Sequence, residues 1–147
     1  MTAGHMAANI ESWKAVEAFV DGMPESASWT LWKVLARRLL GESVRFGLNR
    51  YFRAGQSMDR LVFSTLDHHR LNIMDARVTV EVRAENEVRV SYFQFGIQEL
   101  EYTLPFELAF PTFVRFLNQL WTATMPEAVP EDVRRPLRVL HVPVLTV

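Results

Sequence analysis

The chain reads as an α+β domain: two N-terminal helices, an antiparallel sheet of five to six strands, a long amphipathic helix packed on the sheet, and a C-terminal edge strand. Three observations predict this. Val78, Val80 and Val82 alternate with Thr79, Glu81 and Arg83, and the alternation resumes as Val88, Val90, Tyr92 and again as Leu100, Tyr102, Leu104. A two-residue period is that of a half-buried strand, and successive runs of it make a meander. Pro105 then breaks the pattern, and Phe106, Phe110, Phe113, Leu117, Leu120 and Trp121 recur at three- and four-residue steps. That is the period of a helix with one buried face. Helical spacing also precedes the strands, and strands bounded by helices, rather than alternating with them, belong to α+β folds.

Taken in order, Asn9 is the expected N-cap of the first helix, whose buried stripe is Ile10, Trp13, Val16 and Val20, with Gly22 at its end. Residues 1–8 are expected to be a tag remnant or a disordered N-terminus, since Gly4-His5-Met6 looks like a cloning scar and Met6 a natural start. Residues 9–147 are then one α+β domain. Ser28, or else Ser26, caps a second helix with Trp29, Trp32, Leu35, Ala36 and Leu39 on its buried face, and Gly41 ends it. Val44, Phe46 and Leu48 alternate with polar residues, predicting a strand that continues to Phe52; Ala54 to Ser57 is the expected turn after it. Arg60 to Leu66 is apolar on both faces, as in a central strand. Asp67 to Arg70 is a polar turn, and Leu71, Ile73 and Met74 make a short strand. The meander and long helix follow, the helix stopping at Met125-Pro126. Glu131 to Arg135 allows a single helical turn. Leu137 to Val147 is β-branched and apolar, and Pro143 confines it to a sheet edge.

This order is similar to helix-grip folds, in which a curved sheet wraps a C-terminal helix, though the leading strand of that plan is missing. The resemblance covers topology alone and implies one thing worth testing, a cavity between the sheet and Phe106, Phe110 and Phe113.

Composition excludes more than it assigns. The 147 residues contain no cysteine, which removes disulfides, zinc–thiolate sites, iron–sulfur clusters and thiol nucleophiles. No apolar run approaches the ~20 residues that span a bilayer, and the N-terminus lacks a signal-peptide pattern. A cytoplasmic bacterial protein is the expectation. The net charge of −1 sets up no global field toward nucleic acid. Locally, residues 24–60 hold seven Lys or Arg against three acids, and residues 61–104 seven acids against four Arg.

No motif carries catalysis. There is no Gly-x-Ser-x-Gly elbow, phosphate loop or dinucleotide fingerprint. Asp67-His68-His69 resembles a motif of metal-dependent phosphoesterases, whose further acidic motifs are absent. Adjacent histidines on a strand point to opposite faces, so a polar hairpin tip is the expectation and no metal at Asp67, His68, His69 or Asp75. His141 among apolar neighbours reads as structural, and Glu99 with Glu101 as a solvated strand face. No cofactor is expected.

Two groups remain as candidate partner contacts. Arg45, Arg50 and Arg53 cluster charge on one expected strand, where Tyr51 could stack on a base, and Arg50 falls on that strand's apolar face. There it must reach an edge, pair with an acid or line a pocket. Phe93 and Phe95 point away from Val88, Val90 and Tyr92, toward either the N-terminal helices or solvent, with Gly96 as a bulge that resets the register. Single-strand nucleic-acid binders combine charge with several exposed aromatics, and most aromatics here have core spacing. The sequence therefore predicts a protein-binding module without a catalytic site, of the immunity type that neutralises a toxin or effector by covering it. The runner-up is a small apolar-ligand or enzyme pocket between sheet and helix; self-association through the terminal edge is a third use of the surface.

Overall fold

The computed structural model describes residues 1–24, 26–65, 76–94 and 97–140. The first helix, α1, spans Ala3–Asp21. It begins well before Asn9 because Thr2 and His5 form a capping box. The His5 N–H donates to Thr2 Oγ1 at 3.1 Å, and the Thr2 N–H donates to His5 Nδ1 at 3.4 Å. Residues 3–8 are thus helical, not a disordered lead. The sequence rule looks for Glu or Gln at the third helical position, and a histidine holds that place here. Asn9, no longer a cap, is buried and donates from Nδ2 to the Arg50 carbonyl at 3.0 Å.

The second helix, α2, spans Ala27–Arg45 with Ser26 at its cap position, so Ser28 lies inside it. Gly41 does not end it. Leu39, Leu40 and Ser43 are buried on the core side, and that burial outweighs the ~1 kcal/mol a mid-helix glycine costs. The strand expected over Val44–Phe52 is therefore replaced by the end of α2, Gly47 at φ +76°, and a 3-10 turn over Leu48–Arg50. The fully buried members of that run are Leu48 and Phe52. They are four residues apart, a spacing that a helical turn satisfies as well as a strand does.

These two glycines predict opposite substitutions. Gly47→Ala should lose about 1–2 kcal/mol, because an L-residue pays that in the left-handed region. Nothing lies within 4 Å of a Cβ built on Gly41, so Gly41→Ala should gain about 0.5–1 kcal/mol. Urea midpoints at constant slope check both signs.

Five strands follow: β1 Arg53–Ser57, β2 Arg60–Ser64, β3 Arg77–Ala84, β4 Glu87–Gln94 and β5 Ile97–Leu104. They form one antiparallel sheet in sequential order. The expected turn over Ala54–Ser57 is thus strand β1, and the chain reverses at Met58, φ 57°. The polar composition of β1 hid it. What supports the strand is α1: Ser12 Oγ accepts the Ala54 N–H at 2.9 Å, and Trp13 Nε1 donates to the Phe52 carbonyl at 2.8 Å. β2 lies between two strands, as its two apolar faces predict. The β4–β5 register shifts between Tyr92 and Phe93. Gly96, the expected bulge, lies outside the described residues. So do the turn and short strand expected over 66–75, and residues 141–147 of the expected terminal strand.

Helix α3 spans Phe106–Thr124 and packs on β3, β4 and β5. Helix α4 spans Glu131–Val139 and packs on α3. It extends the single turn expected over Glu131–Arg135 and takes Leu137–Val139 away from the expected edge strand. Helices α1, α2 and α3 cover the sheet face that carries Phe63, Val80 and Val90. Of the tryptophans expected inside, Trp13, Trp32 and Trp121 are buried, whereas Trp29 is half-buried with its ring edge-on to Trp32 at 5.7 Å.

Candidate partner-binding face

Successive side chains on a strand point to opposite faces. Because Leu61, Val78, Val80, Val88 and Val90 point into the core, their neighbours form the other face of the sheet. The register sorts those neighbours into cross-strand rows. One row runs Gly55, Val62, Thr79, Ser91, Glu101; the next runs Ser57, Arg60, Glu81, Arg89, Thr103. The first is short side chains from β1 to β4, and Val62, Thr79 and Ser91 are buried. Val62 is buried yet stands apart from the main core cluster. The second row is long and ionic.

Glu81 is the hub of that row. Its side chain is only 9% exposed and it pairs with Arg60, with Arg83 at 3.3 Å and with Arg89 at 3.8 Å. Arg89 reaches on to Glu101 at 3.3 Å, which also accepts from Ser91 Oγ at 3.4 Å. Beyond the short row, the Arg77 guanidinium lies 4.4 Å from the Phe93 ring centroid, a cation–π distance. The open face thus grades from arginine on β2 to β4 toward glutamate on β5.

The expected arginine trio is distributed over three elements. Arg45 is the last residue of α2, exposed, and pairs with Glu42 at 3.3 Å. Arg50 lies in the 3-10 turn, not on a strand face, and pairs with Asp132 of α4 at 3.0 Å. Arg53 opens β1 and lines the groove between α1 and β1. Tyr51 is not a free stacking platform: its hydroxyl donates to Asp132 at 2.9 Å and its ring meets Trp121 edge-on at 6.1 Å. Burial first, and then that hydrogen bond, raise the Tyr51 pKa above the ordinary 10.0.

Phe93 points outward, as its alternation predicts, and is half-buried beside Arg77. Phe95, Asp67, His68, His69, Asp75 and His141 lie outside the described residues. Glu101 serves the ion pairs above, and Glu99 is exposed on β5. Arg60, Arg77, Arg83 and Arg89 were missed as a group. Alternation placed Arg83 and Arg89 opposite the valines, whereas Arg60 opened a strand read as apolar on both faces, and nothing local showed which acid or ring each would meet.

The space where a ligand pocket was expected is filled. Phe113 lies 4.8 Å from Phe63 and 6.3 Å from Phe110 between ring centroids. Beside Phe106 the void between α2, α3 and the sheet is about 10 Å³, room for roughly one water. Two larger concavities among the described residues are open surface grooves, one of about 640 Å³ near Tyr92, Asn118 and Leu137, another of about 770 Å³ between α1 and β1. Among the described residues no three His, Asp or Glu side chains are grouped to hold a metal ion, and no helix is long and apolar enough to cross a membrane. At the start of α3, the Glu107 carboxyl is held below the usual range by its own backbone N–H, then by Asn86 and Arg38. It is exposed in the first turn of the helix rather than set in a cleft.

No protein-family model, curated protein or solved structure matches this chain, so the reading of its function rests on its own geometry.

Proposed function

We propose that the protein is a protein-binding module, an immunity-type inhibitor that neutralises a toxin or effector by holding it against the open sheet face. The observation that carries this reading is a sheet that, among the described residues, is covered by helices on one face only. Helices fill one face, and the other presents Arg60 and Arg89 in one cross-strand row with Glu81, Arg83 beside that glutamate, and Arg77 against Phe93. Arginine and aromatic side chains are the residue types that dominate binding energy at interfaces. Charge arranged in rows steers a complementary acidic partner and fixes its register. The closely packed core on the helical side supports a rigid platform rather than a ligand pocket.

The test begins with recovery of a stoichiometric partner from cells expressing the tagged chain. Arg60→Glu with Arg89→Glu should weaken that complex at least about tenfold at 0.15 M salt and less in 1 M salt. Phe93→Ser should cost about 2 kcal/mol of binding if the ring enters a pocket. Circular dichroism checks that each variant stays folded. Wild-type affinity in all of them would remove the open face from the interface. A partner that leaves growth unharmed when expressed without this chain would remove the immunity reading while leaving the binding one.

A further inference from the structure

The two edges of the sheet differ. At β1 the edge is guarded by Ser12 and Trp13 of α1, which satisfy the Ala54 N–H and the Phe52 carbonyl. β5 is the opposite edge, and among the described residues no strand pairs with its outer side. A row of unpaired backbone donors and acceptors is a template for another strand.

The side chains of β5 match that use. Leu100, Tyr102 and Leu104 are half-buried, although the residues they pair with, Tyr92, Val90 and Val88, are buried. The apolar layer therefore runs to the edge before it is fully covered. Helix α3 adds to it. Leu108, 39% exposed, lies on the same helical stripe as Thr112 and Phe116, and Phe116 meets Tyr102 at 6.1 Å between ring centroids. Ile97, at the start of β5, is 65% exposed. Glu99 and Glu101 are exposed between these apolar positions.

We propose that the β5 edge docks an extended strand of a partner protein, with apolar side chains beside Leu100, Tyr102 and Leu104 and Lys or Arg beside Glu99 and Glu101. This rests on the reading of the chain as a protein-binding module, and it names where the partner's backbone pairs. Charge selects the occupant. A second copy paired antiparallel about Tyr102 would set Glu101 opposite Thr103 and gain no charge pair; about Leu100 it would set Glu99 opposite Glu101, and about Glu101 that residue opposite itself. Like charges directly opposite destabilise a strand pair. A basic alternating strand has the reverse effect, and its apolar side completes the layer that Leu104 and Leu108 leave open.

The experiment uses the isotope-labelled full chain and two blocked octapeptides, one alternating Val with Lys and one alternating Val with Glu. Titration followed by amide NMR should move resonances of residues 97–104, with the Lys peptide binding at least about tenfold tighter at low salt. Glu99→Lys with Glu101→Lys should reverse that order. In the free protein, alternate amides of β5 should exchange with solvent quickly. Amides on β5 protected throughout would mean that the edge is already filled, by the chain itself or by a second copy, and would overturn the proposal. So would shifts confined to the rows of Arg60, Glu81 and Arg89, or no binding by either peptide. Those results leave the binding-module reading standing, because that reading is decided by the recovered partner and the open-face variants.

Discussion

Phe113→Ala should lower the unfolding free energy by about 3–5 kcal/mol, the range for removing a fully enclosed phenylalanine. The reason is its position at the junction of every layer. Phe113 is 0% exposed, with Phe63 of β2 at 4.8 Å and Phe110 of its own helix at 6.3 Å between centroids. Phe63 in turn meets Trp13 of α1 at 5.2 Å. Truncation leaves a cavity between α3 and β2, where Phe63 is itself held by Trp13, so collapse recovers little. Phe113→Leu keeps most of the volume and should cost much less. Chemical denaturation with an unchanged slope measures both. A loss below about 1 kcal/mol for the alanine variant would mean that this face of α3 is not enclosed.

Glu81→Ala is expected to cost about 1–3 kcal/mol. Removing one partner of a buried ion pair costs about 3–5 kcal/mol, because it strands the remaining charge. Here the glutamate is nearly buried, but Arg60, Arg83 and Arg89 are 55%, 46% and 31% exposed, so water screens part of their mutual repulsion. The loss should shrink in 1 M salt, where the screening length falls to about 3 Å. Glu81→Gln keeps the shape and hydrogen-bonding capacity and should fall between wild type and alanine. A cost under about 0.5 kcal/mol that ignores salt would reduce the network to ordinary surface pairs.

The two variants also separate fold from recognition. Phe113 is remote from the open face, so its substitution acts on a partner only through the folded fraction. Glu81 holds three arginines of the proposed docking face, so Glu81→Gln should change partner affinity even in fully folded protein. Comparing binding of the two variants well below their melting temperatures reads that difference directly.

Much of the fold is present in local pattern. β3, β4, β5 and α3 follow from alternation and helical spacing because each is long and buries one face. Their boundaries match Val78, Val88, Leu100 and Phe106 closely. The segment from Gly41 to Ser57 does not follow, because its local signals point away from what tertiary burial enforces. Gly41 sits inside a helix, the alternation from Val44 to Phe52 becomes a helix end and a 3-10 turn, and the turn-like residues Ala54–Ser57 form a strand that α1 supports. The start of α1 was hidden for a related reason, since His5 closes a capping box usually completed by Glu or Gln.

By itself the sequence determined the fold class, the two facings of each long strand, the absence of thiol chemistry, and that Phe93 points away from Val88 and Val90. Only the tertiary structure decided which residues meet across strands. Alternation places Glu81, Arg83 and Arg89 opposite the valines, but pairing Arg60 with Glu81 and Glu81 with Arg89 requires the register of three strands. It likewise scattered the arginine trio, because Arg45, Arg50 and Arg53 share a strand only if the chain stays extended there, and the burial of Leu48 and Phe52 bends it instead. A side chain's facing depends on its nearest neighbours in the chain. Its partner depends on strand pairing and helix packing, which are set by burial summed over residues far apart in sequence.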